Sequence, residues 1–241
     1  MSGHSKWNNI KHKKEKSDAA KAKIFTKIGK EMAVAIKAGG PDPAVNSKLR
    51  DLIAKAKANN VPNENIQRTI KKFTDNSDIN YEEITYEGYG PSGVAIIVET
   101  STDNRNRTAG NVRAWFNKYG GNMGQNGCVS YLFEEKGVIT IIDEDGEVEE
   151  DKMMEDALEC GAEDIQSDEG EYKIYTSPDE LSEVRDAIIA LGYKIDTADL
   201  AKVPSTYVEL TSQDDIDNME KMLDKFNEDD DVNAVYTNWD N

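Results

Sequence analysis

Apolar positions in the first third of the chain recur at helical spacing. Ile24, Phe25, Ile28, Met32, Ala35 and Ile36 share one face of a helix that should begin near Ser17–Asp18 and stop at Gly39-Gly40-Pro41. Val45, Leu49, Leu52, Ile53 and Ala56 predict a second helix from about Pro43 to Ala58, and Ile66, Ile70 and Phe73 predict a third after Asn59-Asn60-Val61-Pro62. Beyond a polar linker at 74–80 the period shortens. Residues 84–89, 94–100 and 128–133 are expected as strands, with a helix over 103–119. From 133 to 200 the pattern reads strand (138–142), helix (147–160), strand (164–167), strand (172–176), helix (179–191), strand (194–196), a ferredoxin-like order. A strand at 207–210, a helix at 214–226 and a strand at 232–237 then complete, with 94–133, a second split set of the same kind. The expected architecture is α+β and multidomain. A three-helix domain (1–74) precedes two ferredoxin-like domains, one discontinuous (81–133 with 201–241) and one inserted in it (134–200).

Charge changes this picture more than composition does. The 241 residues carry a formal net charge of −18, which alone argues against a polyanionic partner. The first 74 residues, however, hold 17 Lys and Arg against 6 Asp and Glu, while the remainder holds 12 against 41. A basic module of net +11 joined to a body of net −29 suggests nucleic acid as partner for the former. The longest aliphatic run, Val94 to Val98, is far short of the roughly 20 apolar residues of a membrane helix. Two cysteines, Cys128 and Cys160, make neither a disulfide scaffold nor a zinc knuckle. A cytoplasmic monomer is expected, with no membrane partner.

Catalytic chemistry finds few residues to work with. His4 and His12 are the only histidines and both lie in the basic N-terminal arm. Residues 88–93 (Gly-Tyr-Gly-Pro-Ser-Gly) match the dinucleotide fingerprint in letters, but a strand follows where the fingerprint needs a helix, so a hairpin turn is expected. Gly121 to Gly127 could form either a phosphate-holding nest of backbone N–H groups or a simple reversal of the chain. Acidic runs at 143–145 and 229–231 lack the alternating ligand pattern of a calcium loop. No enzyme activity, cofactor or metal is expected.

Three features suit nucleic acid. The arm sets Lys6, Lys11, Lys13, Lys14 and Lys16 beside Trp7 and His12, cations for phosphates next to rings for bases. Lys16, Lys23, Lys27, Lys30 and Lys37 form a stripe on the first helix opposite its apolar face. Arg105 and Arg107 stand at a helix start, where positive charge is unfavourable. There they await either a neighbouring carboxylate such as Asp103 or an external phosphate, and the expectation is that they serve a partner and not the fold.

These residues also carry a resemblance. The segments at 1–7 (Met-Ser-Gly-His-Ser-Lys-Trp), 10–12, 23–27, 86–91 and 102–108, with the run from Gly120 to Phe133, resemble the YebC-type family along the whole chain. The resemblance implies a helical domain followed by two α+β domains, no cofactor, and a role as a DNA-binding transcriptional regulator. Mitochondrial relatives are translational activators for a cytochrome oxidase subunit, which points to the ribosome and its RNA instead. Family members mix arginine with lysine in the arm and first helix, whereas Arg50 and Arg68 are the only arginines in these 74 residues. Lysine is a point charge without the arginine fork that reads guanine, so backbone gripping is favoured over base reading. Within a duplex-DNA reading the second and third helices would act as a helix-turn-helix, with Asn63, Asn65, Gln67 and Arg68 as readers. The RNA reading uses the arm and the stripe. The competing class is a protein-interaction adaptor for ribosomal proteins or RNA polymerase.

Overall fold

The computed structural model describes residues 18–75, 80–143, 146, 148–168 and 170–240. They group into two compact units, one spanning Leu132–Tyr207 and the other holding the described residues up to Tyr131 together with Val208–Trp239.

The larger unit opens with α1 (Asp18–Gly39), α2 (Ser47–Ala58) and α3 (Asn63–Asp75). Their facing stripes meet in one core of Ile28, Met32, Leu49, Leu52, Ala56, Ile66 and Ile70, each large side chain contributing about 1.5–3 kcal/mol by leaving water. Gly40 ends α1 in the left-handed region at φ 82°, as a residue without Cβ can at little cost. α2 starts at Ser47 and not at Pro43 because Asn46 is its cap. The Asn46 side chain accepts from Leu49 N at 3.1 Å, and its amide donates to the carbonyls of Ala35 and Gly40, both at 2.8 Å. One buried side chain thus fixes the corner between two helices.

In the same unit, β1 (Glu82–Tyr89), β2 (Ala95–Thr102), β3 (Asn122–Met123) and β9 (Val232–Thr237) form an antiparallel sheet in the order β3-β1-β2-β9. α4 (Arg105–Lys118) and α7 (Gln213–Glu228) pack on it through Val112, Phe116, Met219, Leu223 and Phe226. The Phe116 and Phe226 rings lie 5.3 Å apart. α1 lies alongside β1, β2 and β9, so β2 is buried almost throughout, which explains its unbroken aliphatic run. Two expected strands differ. Residues 128–133 form no strand of this sheet: Ser130–Leu132 is a 3-10 turn and β4 begins at Phe133. The sheet uses β3 instead, which fits against β1 because Gly88 has no side chain; a Cβ there would lie 2.6 Å from Asn122 O. The strand expected at 207–210 is only β8 (Val208–Glu209), paired with β10 (Trp239–Asp240).

The smaller unit is β4 (Phe133–Ile142), α5 (Glu150–Glu159), β5 (Asp164–Asp168), β6 (Glu171–Thr176), α6 (Leu181–Ala190) and β7 (Thr197–Pro204). Its sheet order, β5-β6-β4-β7, is the ferredoxin-like one. Met153, Ala157, Val184 and Ile188 seal the helices onto Ile139, Ile141 and Ile174. The last strand lies at 197–204 and not at 194–196, pairing with β4 from Phe133↔Pro204 to Thr140↔Thr197. As an edge strand it carries Asp199 and Lys202 and ends at a proline, features that mask it in the sequence.

Candidate nucleic-acid interface

The arm residues Lys6, Trp7, Lys11, His12, Lys13, Lys14 and Lys16 lie outside the described residues. Lys23, Lys27, Lys30 and Lys37 follow one face of α1 as the spacing requires, but that face is not open. Lys23 Nζ donates to Glu228 O at 2.5 Å, Lys27 Nζ to Asn227 O at 2.9 Å, and Lys30 Nζ to Asp230 O at 2.8 Å. These carbonyls stand at and just after the end of α7, where a helix leaves its last C=O groups without partners and its dipole negative. Lys30 also pairs with Asp231 at 2.7 Å, and Lys37 donates to the Asn80 side chain. Lys23, Lys27 and Lys30, expected to track a nucleic-acid backbone, therefore serve as the cap of another helix. α1 lies against the sheet on which α7 is packed, and that places the lysines there.

Asp231 is the centre of this contact. Its side chain is 5% exposed. Besides Lys30 it accepts from Arg107 Nη2 at 2.6 Å, from Thr108 Oγ1 at 2.8 Å and from Thr102 Oγ1 at 3.1 Å. Burial pushes its pKa up, but the hydrogen bonds from Lys30, Arg107 and Thr108 outweigh burial and hold it at about 2. Arg107 also reaches Asp103 at 2.8 Å. The expectation for Arg107 is corrected accordingly: its fork is filled by two carboxylates of its own chain, one of them buried, so it belongs to the fold. Arg105 is exposed and makes no hydrogen bond or ion pair among the described residues.

The glycine-rich segment resolves in favour of the turn. Glu87, buried on β1, accepts from the N–H groups of Gly127 at 2.8 Å, and of Val129 and Ser130 at 2.9 Å. Burial would raise its pKa, and the three backbone donors more than reverse that. Within the segment the Gly127 N–H thus holds an internal anion, while those of Gly121 and Gly124 donate to the backbone carbonyls of Phe116 and Glu87. Residues 88–93 form the hairpin between β1 and β2, with Tyr89 opposite Ala95 and a 3-10 turn at Pro91–Gly93. Among the described residues no group of three or more His, Cys, Asp or Glu could hold a metal ion, and no helix is long and apolar enough to cross a membrane.

Unspent charge lies elsewhere. On α2 and α3, Arg50, Lys57, Arg68, Lys71 and Lys72 are exposed and make no ion pair among the described residues. Lys72 does sit 5.2 Å from the Phe73 ring. Nothing in the periodicity separates these cations from those of α1. The missed signal was the acidic, carbonyl-ended segment 227–231, a ready partner for lysines.

The same three helices and two α+β sheets occur in known proteins. The description "TACO1/YebC protein N-terminal domain" matches residues 5–76, and "TACO1/YebC second and third domain" matches residues 81–239. The chain belongs to the TACO1/YebC family. A family member from Acetivibrio thermocellus is 55% identical over 240 residues, covering 99% of both chains. One from Agathobacter rectalis is 54% identical over 241 residues, covering all of both. Each is named a probable transcriptional regulatory protein. A crystal structure of a conserved hypothetical protein from Aquifex aeolicus superposes with a TM-score of 0.83 at 44% identity, covering 92% of this chain and 91% of that one.

Proposed function

We propose that this TACO1/YebC protein is a non-enzymatic regulator of gene expression that grips nucleic acid through the exposed face of α2 and α3, aided by the basic arm. The observation that carries the reading is the set Arg50, Lys57, Arg68, Lys71 and Lys72, whose charges no carboxylate of the chain neutralises among the described residues. Solvated cations of this kind attract phosphates, and the attraction is screened by salt. The regulatory half of the reading follows the names of the relatives, and the lysine-weighted chemistry favours backbone contact over sequence reading.

The test is a salt titration of the full chain on two unrelated duplex DNAs. Each phosphate neutralised contributes about 0.9 to the slope of log affinity against log salt. Arg68→Gln, Lys71→Gln and Lys72→Gln together should flatten it by about 2 to 3 units, equally on both sequences. An unchanged slope and affinity would remove α3 from the interface. A loss confined to one sequence would make these residues base readers.

A further inference from the structure

In the smaller unit, α5 seals onto its sheet through Met153 and Ala157, both fully buried. One flank of the helix is closed, since Asp156 Oδ2 accepts from the Tyr193 hydroxyl at 2.6 Å. The other flank lies over β5, the edge strand, where Ser167 Oγ donates to Glu150 Oε1. Four and eight residues on from Glu150, that open flank carries Met154 and Leu158, 38% and 53% exposed. One position further round the helix stand Asp151, Glu155 and Glu159. All three are exposed and make no ion pair among the described residues.

We propose that this face of α5 docks a basic amphipathic helix of a partner protein. The apolar row Met154–Leu158 and the acidic row Asp151–Glu155–Glu159 run side by side with the same four-residue repeat. A basic amphipathic helix presents the complement, an apolar stripe bordered by lysines or arginines. Neither row serves the fold. Met154 and Leu158 leave apolar surface in water. The acidic row sets like charges at i,i+4 and puts Glu159 at the negative end of the helix dipole, both unfavourable to the helix itself. Charge chooses the occupant. Residues 133–200 hold 23 Asp and Glu against 5 Lys and Arg, a field that draws cationic chains and repels nucleic acid and acidic peptides. Met154 brings an unbranched side chain that adapts to the partner's shape. Docking here does not depend on nucleic-acid binding at α2 and α3.

The experiment is fluorescence anisotropy of a labelled 18-residue Leu/Lys peptide with its leucines on one helical stripe, titrated with the full chain at about 0.15 M salt. The comparison peptides are a scramble of the same composition without a stripe and a Leu/Glu peptide with one. The striped Leu/Lys peptide should bind at least about 10-fold more tightly than the scramble, the worth of burying about one large apolar side chain. Met154→Gln with Leu158→Gln should shrink that ratio to below about 3-fold. Asp151→Asn with Glu155→Gln should weaken the striped peptide about 5-fold, as two exposed ion pairs would. Asp179→Asn with Glu183→Gln removes the same charge from exposed positions elsewhere in the smaller unit and should change binding less than about 2-fold. A thermal melt of each variant within a few degrees of wild type establishes that it folds.

Equal binding of striped and scrambled peptides overturns the proposal, since general charge attraction would then be all that acts. So does an unchanged ratio in the Met154→Gln, Leu158→Gln variant, or an equal loss in the two charge variants, because either places the peptide away from α5. Equally tight binding of the Leu/Glu peptide removes the basic partner. Displacement of the probe by a peptide of residues 1–17 more effectively than by unlabelled probe makes the occupant this chain's own basic arm, and the separate partner is lost.

Discussion

On α1, Lys23, Lys27 and Lys30 spend their charges on the carbonyls of 227, 228 and 230 and on Asp231. On α2 and α3, Arg50, Lys57, Arg68, Lys71 and Lys72 have no such partner among the described residues. In sequence the two sets look alike, and the α1 stripe is the more regular of the two. The difference comes from what each helix faces in the fold. α1 runs beside the sheet whose strand β9 follows the end of α7, so its cations meet orphan carbonyls and a buried carboxylate. A charged stripe is thus a property of a helix, while its availability is a property of the packing around it.

Removing Asp231 breaks this comparison most severely. Asp231→Ala leaves Lys30, with a side chain only 12% exposed, and one arm of Arg107 facing a vacated site. Losing one member of a buried pair costs about 3–5 kcal/mol, and about 3 is expected here because Lys30 keeps Asp230 O and Arg107 keeps Asp103. Urea unfolding measures it, and a loss under about 1 kcal/mol would mean that the contact is dispensable. The same residue sets an acid limit. Its folded pKa, about 2, is below the ordinary 3.8. Its contribution, on the order of 2 kcal/mol, is therefore whole above pH 4 and is lost as pH falls toward 2. The variant should lack that part of the wild-type acid transition.

Arg105 and Arg107 sharpen the contrast within a single helix turn. Arg107→Gln should cost about 1–2 kcal/mol, below the full value of a charged hydrogen bond because the guanidinium is half exposed. Arg105→Gln should change stability by less than about 0.5 kcal/mol, because it removes only a cation from the positive end of α4. Equal losses in the two melts would show that Arg105 has a structural partner as well.

Most of the architecture was legible because periodicity reports which face of an element is buried, and burial builds the layers. Ile28, Met32, Leu49 and Ile66 fall in the core that their spacing predicts, and β9 runs from Val232 to Thr237 as expected. The misplaced strands are those whose pairing is decided at a distance. β3 is two residues long and exists because Gly88 admits it; β7 is an edge strand whose place is set by its register with β4, with Asp199 and Lys202 interrupting its apolar residues. The candidate site fared differently. Its charges were visible, but their partners lie up to 205 residues away along the chain, and no local pattern reports such a contact.

The smallest effect decides which basic face meets nucleic acid. Lys23 and Lys27 cap α7 from outside, and a cation near a helix C-terminus contributes about 0.3–1 kcal/mol at a surface site. Lys23 is about one-third exposed and so belongs at the low end. Lys23→Gln with Lys27→Gln should therefore cost about 0.5–1 kcal/mol in total, and the difference from wild type should narrow in 1 M salt as screening weakens the capping charge. Because both ammonium groups already hold carbonyls, their removal frees no phosphate site, and the salt slope on duplex DNA should stay as in wild type. The α3 substitutions should show the converse, a flattened slope with an unchanged melt. If the α1 variant instead flattens the slope by about two units and leaves stability untouched, then α7 releases the stripe when nucleic acid binds, and the grip belongs to α1.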